Sequence, residues 1–192
     1  MLPSSHAKNK IMKIDKHGFW SNNSLEGHWF DTNLATAIMG YIKGNTVVDL
    51  GCGHGMYTKI LRINGIECDG FDGNPNTPAL TDGICQVLDL SQDVSIDKVY
   101  DYVLCLEVGE HIPAIYEETF INNLDKLNRK GIILSWAVNG QGGAGHVNEH
   151  SNEYIRHIME GIGYTSQPKI EQELREAAKL WWFKNTIMVF NR

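Results

Sequence analysis

From Asp31 onward, apolar positions recur in two alternating rhythms. Leu34, Ala35, Ile38, Met39 and Ile42 fall at helical spacing. Asp31 or Thr32 is the expected N-cap and Gly44 the stop. Thr46–Leu50 then reads as a short β-branched strand ending in glycines. Met56, Tyr57, Ile60, Leu61 and Ile63 predict a helix closed by Asn64-Gly65. Further strands are expected at 66–72, 84–88, 100–106, 131–138, 164–167 and 186–190. Helices are expected around 115–127, 154–162 and 170–178. Apolar strands alternating with amphipathic helices predict an α/β protein with a Rossmann-like, mostly parallel sheet covered on both faces. Such sheets bind ligands outside the carboxyl ends of their strands, where strand order reverses.

The pattern before Asp31 is different. Residues 1–24 are polar and broken by Pro3 and Gly18, and read as an irregular arm. The organisation expected is therefore an arm and lid over residues 1–30 and one folded domain over 31–192. With 192 residues, one domain with an ordinary core suffices.

The formal charge is −6, so the chain lacks the basic footprint that a phosphate backbone selects. Its nearest basic run, Lys8, Lys10, Lys13 and Lys16, lies in the arm. Long nucleic acid is thus a poor candidate partner. Cys52, Cys68, Cys85 and Cys105 form no C-x-x-C pair and lie in or beside apolar strands. They read as buried reduced thiols, consistent with a cytoplasmic location. No signal peptide or membrane-spanning segment is expected.

The first strand runs into Asp49-Leu50-Gly51-Cys52-Gly53-His54-Gly55. Glycines there allow a sharp strand-to-helix turn with a ligand against the backbone. The spacing is G-x-G-x-G, not the G-x-G-x-x-G of dinucleotide binders, which disfavours a nicotinamide oxidoreductase. The second strand ends at Asp72, placed to accept from ribose hydroxyls. The third ends in Leu88-Asp89-Leu90, with Asp89 placed to accept from an adenine amine.

In order, VVDLGCGHG, GFDGNP, VLDL and DYVLCLEVGEHIP resemble the class I S-adenosylmethionine-dependent methyltransferases over roughly residues 28–192. The resemblance implies a seven-stranded sheet with its last strand antiparallel and S-adenosyl-L-methionine as cofactor. It places Gly51 and Gly53 along the cofactor, Asp72 at the ribose and Asp89 at the adenine. Asp49 organises the loop or the methionine amine. With their neighbours Cys52, Gly73, Asn74, Leu90 and Leu106, these are the cofactor-binding candidates.

After the fourth strand, Glu107-Val108-Gly109-Glu110-His111-Ile112-Pro113 resembles the E-x-x-E-H-x-P stretch of ubiquinone-pathway O-methyltransferases. It also resembles the E-x-x-E-H stretch of small-RNA 3′-end 2′-O-methyltransferases. In those families such residues can bind a divalent cation, and the RNA enzymes add a histidine from the loop after the next strand. Here His146 closes such a loop. The resemblance implies Glu107, Glu110, His111 and His146 as ligands of Mg²⁺, Mn²⁺ or Zn²⁺, or else His111 or His146 acting without metal. His150 and His157, seven apart, are expected on one solvated helix face.

The loop Asn139–His146 holds four glycines and is expected over the substrate mouth, with Gln141, His146 and Asn148 as polar contacts. Glu26–Asp31 is a lid candidate through His28, Trp29 and Phe30. Trp181, Trp182 and Phe183 read as core or dimer surface. Methylation of a hydroxyl is therefore expected, on a sugar or another small molecule, with sugar favoured by the polar loop and the lack of a clearly aromatic pocket. The oligomeric state stays open, a homodimer included. The competing readings are an amine or small-RNA acceptor and a non-catalytic cofactor-binding subunit.

Overall fold

The computed structural model describes residues 13–21, 23 and 27–192. Pro3, Lys8, Lys10 and Glu26 lie outside the described residues. The first helix, α1 (Thr32–Tyr41), starts where the pattern predicts, because the Asp31 carboxylate accepts from the Asn33 and Leu34 amides. Then follow β1 (Val47–Leu50), α2 (Met56–Ile63), β2 (Cys68–Asp72), α3 (Thr77–Leu80), β3 (Cys85–Val87) and β4 (Tyr100–Leu106). Two 3₁₀ turns, Gly109–His111 and Ala114–Tyr116, lead into α4 (Glu117–Lys126). The chain ends with β5 (Asn128–Ser135), α5 (Asn152–Gly161), β6 (Thr165–Ser166), α6 (Pro168–Ala177), α7 (Phe183–Thr186) and β7 (Ile187–Asn191).

The seven strands form one sheet in the order β3-β2-β1-β4-β5-β7-β6. β7 runs antiparallel to both of its neighbours, and the remaining pairings are parallel. The order reverses between β1 and β4, so the crevice for a ligand lies at their carboxyl ends.

Alternate residues of the buried strands feed two cores. On one face Val103 and Cys105 of β4 join Ile132 and Leu134 of β5 beneath Phe120, Leu124, Ile155 and Met159. On the other, Tyr102 and Leu104 join Ile133, Ile187 and Val189 beneath Leu34, Ile38, Leu61 and Leu174. All four cysteines are buried and unpaired.

Two elements, β5 and α5, depart from the pattern. β5 starts at Asn128, three residues before the apolar run, because Tyr100 pairs with Asn128 and draws the polar stretch into the sheet. The strand also ends at Ser135, before 136–138. His150 precedes α5 instead of sharing its face with His157. Its Nε2 lies 2.9 Å from Glu117 and its ring stacks on Tyr154.

Candidate active site

A cavity of about 440 Å³ opens at the carboxyl ends of β1, β2 and β4. Its cofactor half is built from strand ends. Gly51 and Gly53 both adopt positive φ, and side chains there would collide with Val108 and His28. Asp72 holds the turn from the next strand: Oδ2 accepts from the Gly53 amide at 2.9 Å and Oδ1 from the Asn74 amide at 2.8 Å. Asp49 lies beneath the turn, accepting from the Thr58 amide and, at 2.7 Å, from the Thr58 hydroxyl. Burial pushes its carboxyl up to about 7. Asp89 accepts from the Ser91 amide through Oδ1, and His17 Nδ1 lies 2.7 Å from its Oδ2.

The other half follows β4. Glu107 has a left-handed backbone, φ +54, uncommon for a residue with a side chain and a source of local strain. Its amide donates to Ser135 Oγ, and its carboxylate accepts from Gln141 Nε2 at 3.0 Å and Thr186 Oγ1 at 3.1 Å. Three residues on, Glu110 is fully buried and neither side-chain oxygen has a hydrogen-bond partner. Burial first, and then the neighbouring Glu107, push its carboxyl well above the usual range. One ligand atom from each of Glu110, His111 and His146 lies within 4.8 Å of the others.

The two imidazoles are oriented from behind. His111 Nδ1 lies 3.2 Å from the Gly145 carbonyl, and His146 Nδ1 lies 2.9 Å from Glu149 Oε1. A carbonyl and a carboxylate only accept, so both histidines donate from Nδ1, which in a neutral imidazole leaves the lone pair on Nε2. Burial pushes His111 down to about 4, which keeps it neutral.

Nine of the ten predicted cofactor residues line the cavity: Asp49, Gly51, Cys52, Gly53, Asp72, Gly73, Asp89, Leu90 and Leu106. Asn74 does not; it is buried, and its Oδ1 accepts from the Asn76 amide. Of the four proposed metal ligands, Glu107 stands apart from the trio although it too lines the cavity. Asn148 is not at the cavity; it donates to Glu117. Gln141 lines the cavity with its amide already engaged by Glu107 and the Val138 amide.

The mouth corrects the expectation of a pocket without aromatic walls. Trp20, Trp29, Trp181, Trp182 and Phe183 all line it. Trp29 and Trp181 are 67% and 59% exposed, and each meets Trp182 edge to face. Asp31 fixes this rim, its Oδ2 accepting from the Lys179 and Leu180 amides. Among the described residues no lysine or arginine lines the cavity.

The arm is also more involved than its composition suggests. Ile14 bridges Trp20 in a tight antiparallel turn, and His17, Gly18, Phe19 and Trp20 line the cavity. Phe19 packs on Gly73, and Trp20 contacts both His28 and His111. Of the lid residues proposed from sequence, His28 and Trp29 reach the cavity, whereas Phe30 meets Tyr57 edge to face. His17, Phe19 and Trp20 escape pattern reading because single side chains reaching over a cleft leave no periodic trace.

This sheet order, with acidic residues at successive strand ends around a glycine turn, defines the Rossmann-like methyltransferase class of fold. The sequence profile of the methyltransferase domain family matches residues 31–177, and the chain belongs to that family. It is 28% identical over 155 residues to the ubiquinone biosynthesis O-methyltransferase of Rickettsia bellii (strain OSU 85-389), covering 71% of this chain. The chain spans 64% of that relative's length. Magnesium protoporphyrin IX methyltransferase (ChlM) from Synechocystis PCC 6803, solved with bound SAH, superposes with a TM-score of 0.62 at 22% identity. The overlap covers 83% of this chain and 80% of that one. CalS10, an amino pentose methyltransferase from Micromonospora echinaspora, superposes with a TM-score of 0.61 at 13% identity. That overlap covers 83% and 87% of the two chains. At these identities the two structural likenesses are likenesses of fold. Among the described residues no helix is long and apolar enough to cross a membrane.

Proposed function

We propose that this protein transfers the methyl group of S-adenosyl-L-methionine to a hydroxyl of an uncharged, ring-bearing small molecule. A divalent cation held by Glu110, His111 and His146 assists. The observation that carries the reading is the convergence of these three groups within 4.8 Å around a fully buried carboxylate with no hydrogen-bond partner.

The donor set fits a cation. It supplies one carboxylate and two imidazole nitrogens, suited to Mg²⁺, Mn²⁺ or Zn²⁺. Both imidazoles are anchored through Nδ1, the usual support for a metal-binding histidine. Glu107, tied to Gln141 and Thr186, shapes the wall beside them. A bound divalent cation would lower the pKa of an acceptor hydroxyl.

In the cofactor half, Asp72 and Asp89 accept from the ribose and adenine, and the Gly51–Gly53 turn borders the methionine. His17, Phe19 and His28 close over the cofactor and exclude water. Methyl transfer forms an oxygen–carbon bond as the carbon–sulfur pair returns to sulfur, leaving a neutral thioether, and the hydroxyl proton is released to solvent. Holding oxygen, methyl and sulfur in line contributes on the order of 7–11 kcal/mol.

The mouth limits the acceptor. Its indoles offer flat faces, and among the described residues no lysine or arginine lines it, which disfavours phosphorylated acceptors, nucleic acid among them. Sugar rings and phenols both stack on indoles. The engagement of Gln141 and Asn148 inside the protein weakens the case for a sugar built on that polar loop, and the aromatic rim favours a phenol.

The test is transfer of label from methyl-labelled cofactor to matched panels of phenols and methyl glycosides, with Mg²⁺, Mn²⁺ or Zn²⁺ and with EDTA. Transfer to a neutral hydroxyl that EDTA abolishes, and that falls at least about 100-fold in His146→Ala, is expected. Transfer insensitive to EDTA would leave His146 as a metal-free base. Transfer to amines alone would overturn the hydroxyl assignment.

A further inference from the structure

We infer that Glu149 is the positioning residue of this site, fixing the tautomer of His146 so that Nε2 presents a lone pair to the cavity. The inference rests on the proposed role of His146. It explains a feature the methyl-transfer reading leaves aside, which is why the loop after β5 is so rich in glycine yet ordered around a single carboxylate.

Glu149 gathers the loop from inside. Its Oε2 accepts from the Gly140 amide at 2.7 Å. Its Oε1 accepts from the Gly142 amide at 2.7 Å and from His146 Nδ1 at 2.9 Å. Its own carbonyl accepts from Asn139 Nδ2 at 2.9 Å, so both ends of the loop are tied to one residue. Gly140 and Gly142 hold positive φ, the conformation that turns their amides onto the carboxylate.

Glu149 does not line the cavity, whereas His146 does. It therefore acts through the imidazole and not on substrate. A neutral histidine left to itself favours the proton on Nε2, which would remove the lone pair that the site needs there. The Glu149 hydrogen bond reverses that choice. His111 is anchored only through a carbonyl, so the charged support is specific to His146.

The test uses the full chain saturated with S-adenosylhomocysteine, with ring-nitrogen NMR of His146 at about pH 8, where imidazoles are neutral, and calorimetric titration of Zn²⁺. Wild type is expected in the Nδ1–H form. Glu149→Ala is expected to shift His146 to the Nε2–H form and to weaken Zn²⁺ binding by about 10–100-fold, with S-adenosylhomocysteine affinity within about twofold of wild type, inside ordinary mutational scatter. Glu149→Gln keeps an accepting oxygen, so it is expected to retain the Nδ1–H form, and it decides the matter with wild type if the alanine variant does not fold. An Nε2–H form in wild type, or unchanged tautomer and Zn²⁺ affinity in Glu149→Ala, would overturn the inference. If wild type binds no Zn²⁺, the cation reading fails while the tautomer still decides the role of Glu149.

Discussion

Glu110→Gln is expected to raise the melting temperature of the cation-free protein while removing divalent-cation binding. Both oxygens of Glu110 are buried without a hydrogen-bond partner, so ionising this carboxyl inside the fold is costly. Burial is the larger cost, and the neighbouring Glu107 adds to it. The folded protein therefore holds the Glu110 proton more tightly than the unfolded chain does. Its stability falls as pH rises above the unfolded carboxyl value of about 4 and levels off only above the raised folded value. Glutamine keeps the shape and removes the charge. The gain should thus be small near pH 5 and grow toward pH 8, where each kcal/mol is worth about 2–4 °C in a chain of this size. Thermal melts in EDTA across that range check it. A glutamine variant that melts lower at every pH would mean that the carboxylate has a stabilising partner in the apo protein. The same substitution should reduce methyl transfer at least about 100-fold. A destabilising group retained at the centre of a cavity is expected where function, not folding, requires it.

Asp72→Ala should give the largest loss on the cofactor side. The wild-type carboxylate fixes the Gly53 and Asn74 amides, so its removal frees two loop donors besides deleting the acceptor for the ribose. Hydrogen bonds to a charged group contribute about 1.5–3 kcal/mol each. Losing the ribose contacts alone therefore implies an affinity for S-adenosylhomocysteine weaker by about 100-fold or more. Asp72→Asn keeps one accepting oxygen and should lose about tenfold. Calorimetry reads both. An alanine variant within threefold of wild type would remove Asp72 from the ribose site.

The sequence exposes those parts of the site that local rules fix. Asp49, Asp72 and Asp89 each lie at or near the end of a strand, where alternating pattern and glycine turns announce a ligand-binding edge. β4 has the residues its apolar run predicts, because every position from Tyr100 to Cys105 is buried. β5 is harder to delimit, since Asn128 enters the sheet through pairing with Tyr100 of β4, and Arg129 and Lys130 follow at the register shift before Gly131 and not through their own preference.

What the pattern hides is long-range closure. His17 meets Asp89 across 72 residues, and Asp31 meets Leu180 across 149. Trp181–Phe183 read as core or dimer surface because aromatic runs usually fill interiors, and Phe183 does join the core. Here Asp31 holds the segment at the mouth, and Trp181 faces solvent. Glu149 was invisible because its role exists only once the glycine loop has folded around it.

The most direct measurement is calorimetric titration of the full chain with S-adenosylhomocysteine, with NAD as the control ligand. The account predicts saturable binding at one site per chain with no heat from NAD. A folded protein that binds no S-adenosylhomocysteine would contradict it and leave the fold without its proposed chemistry.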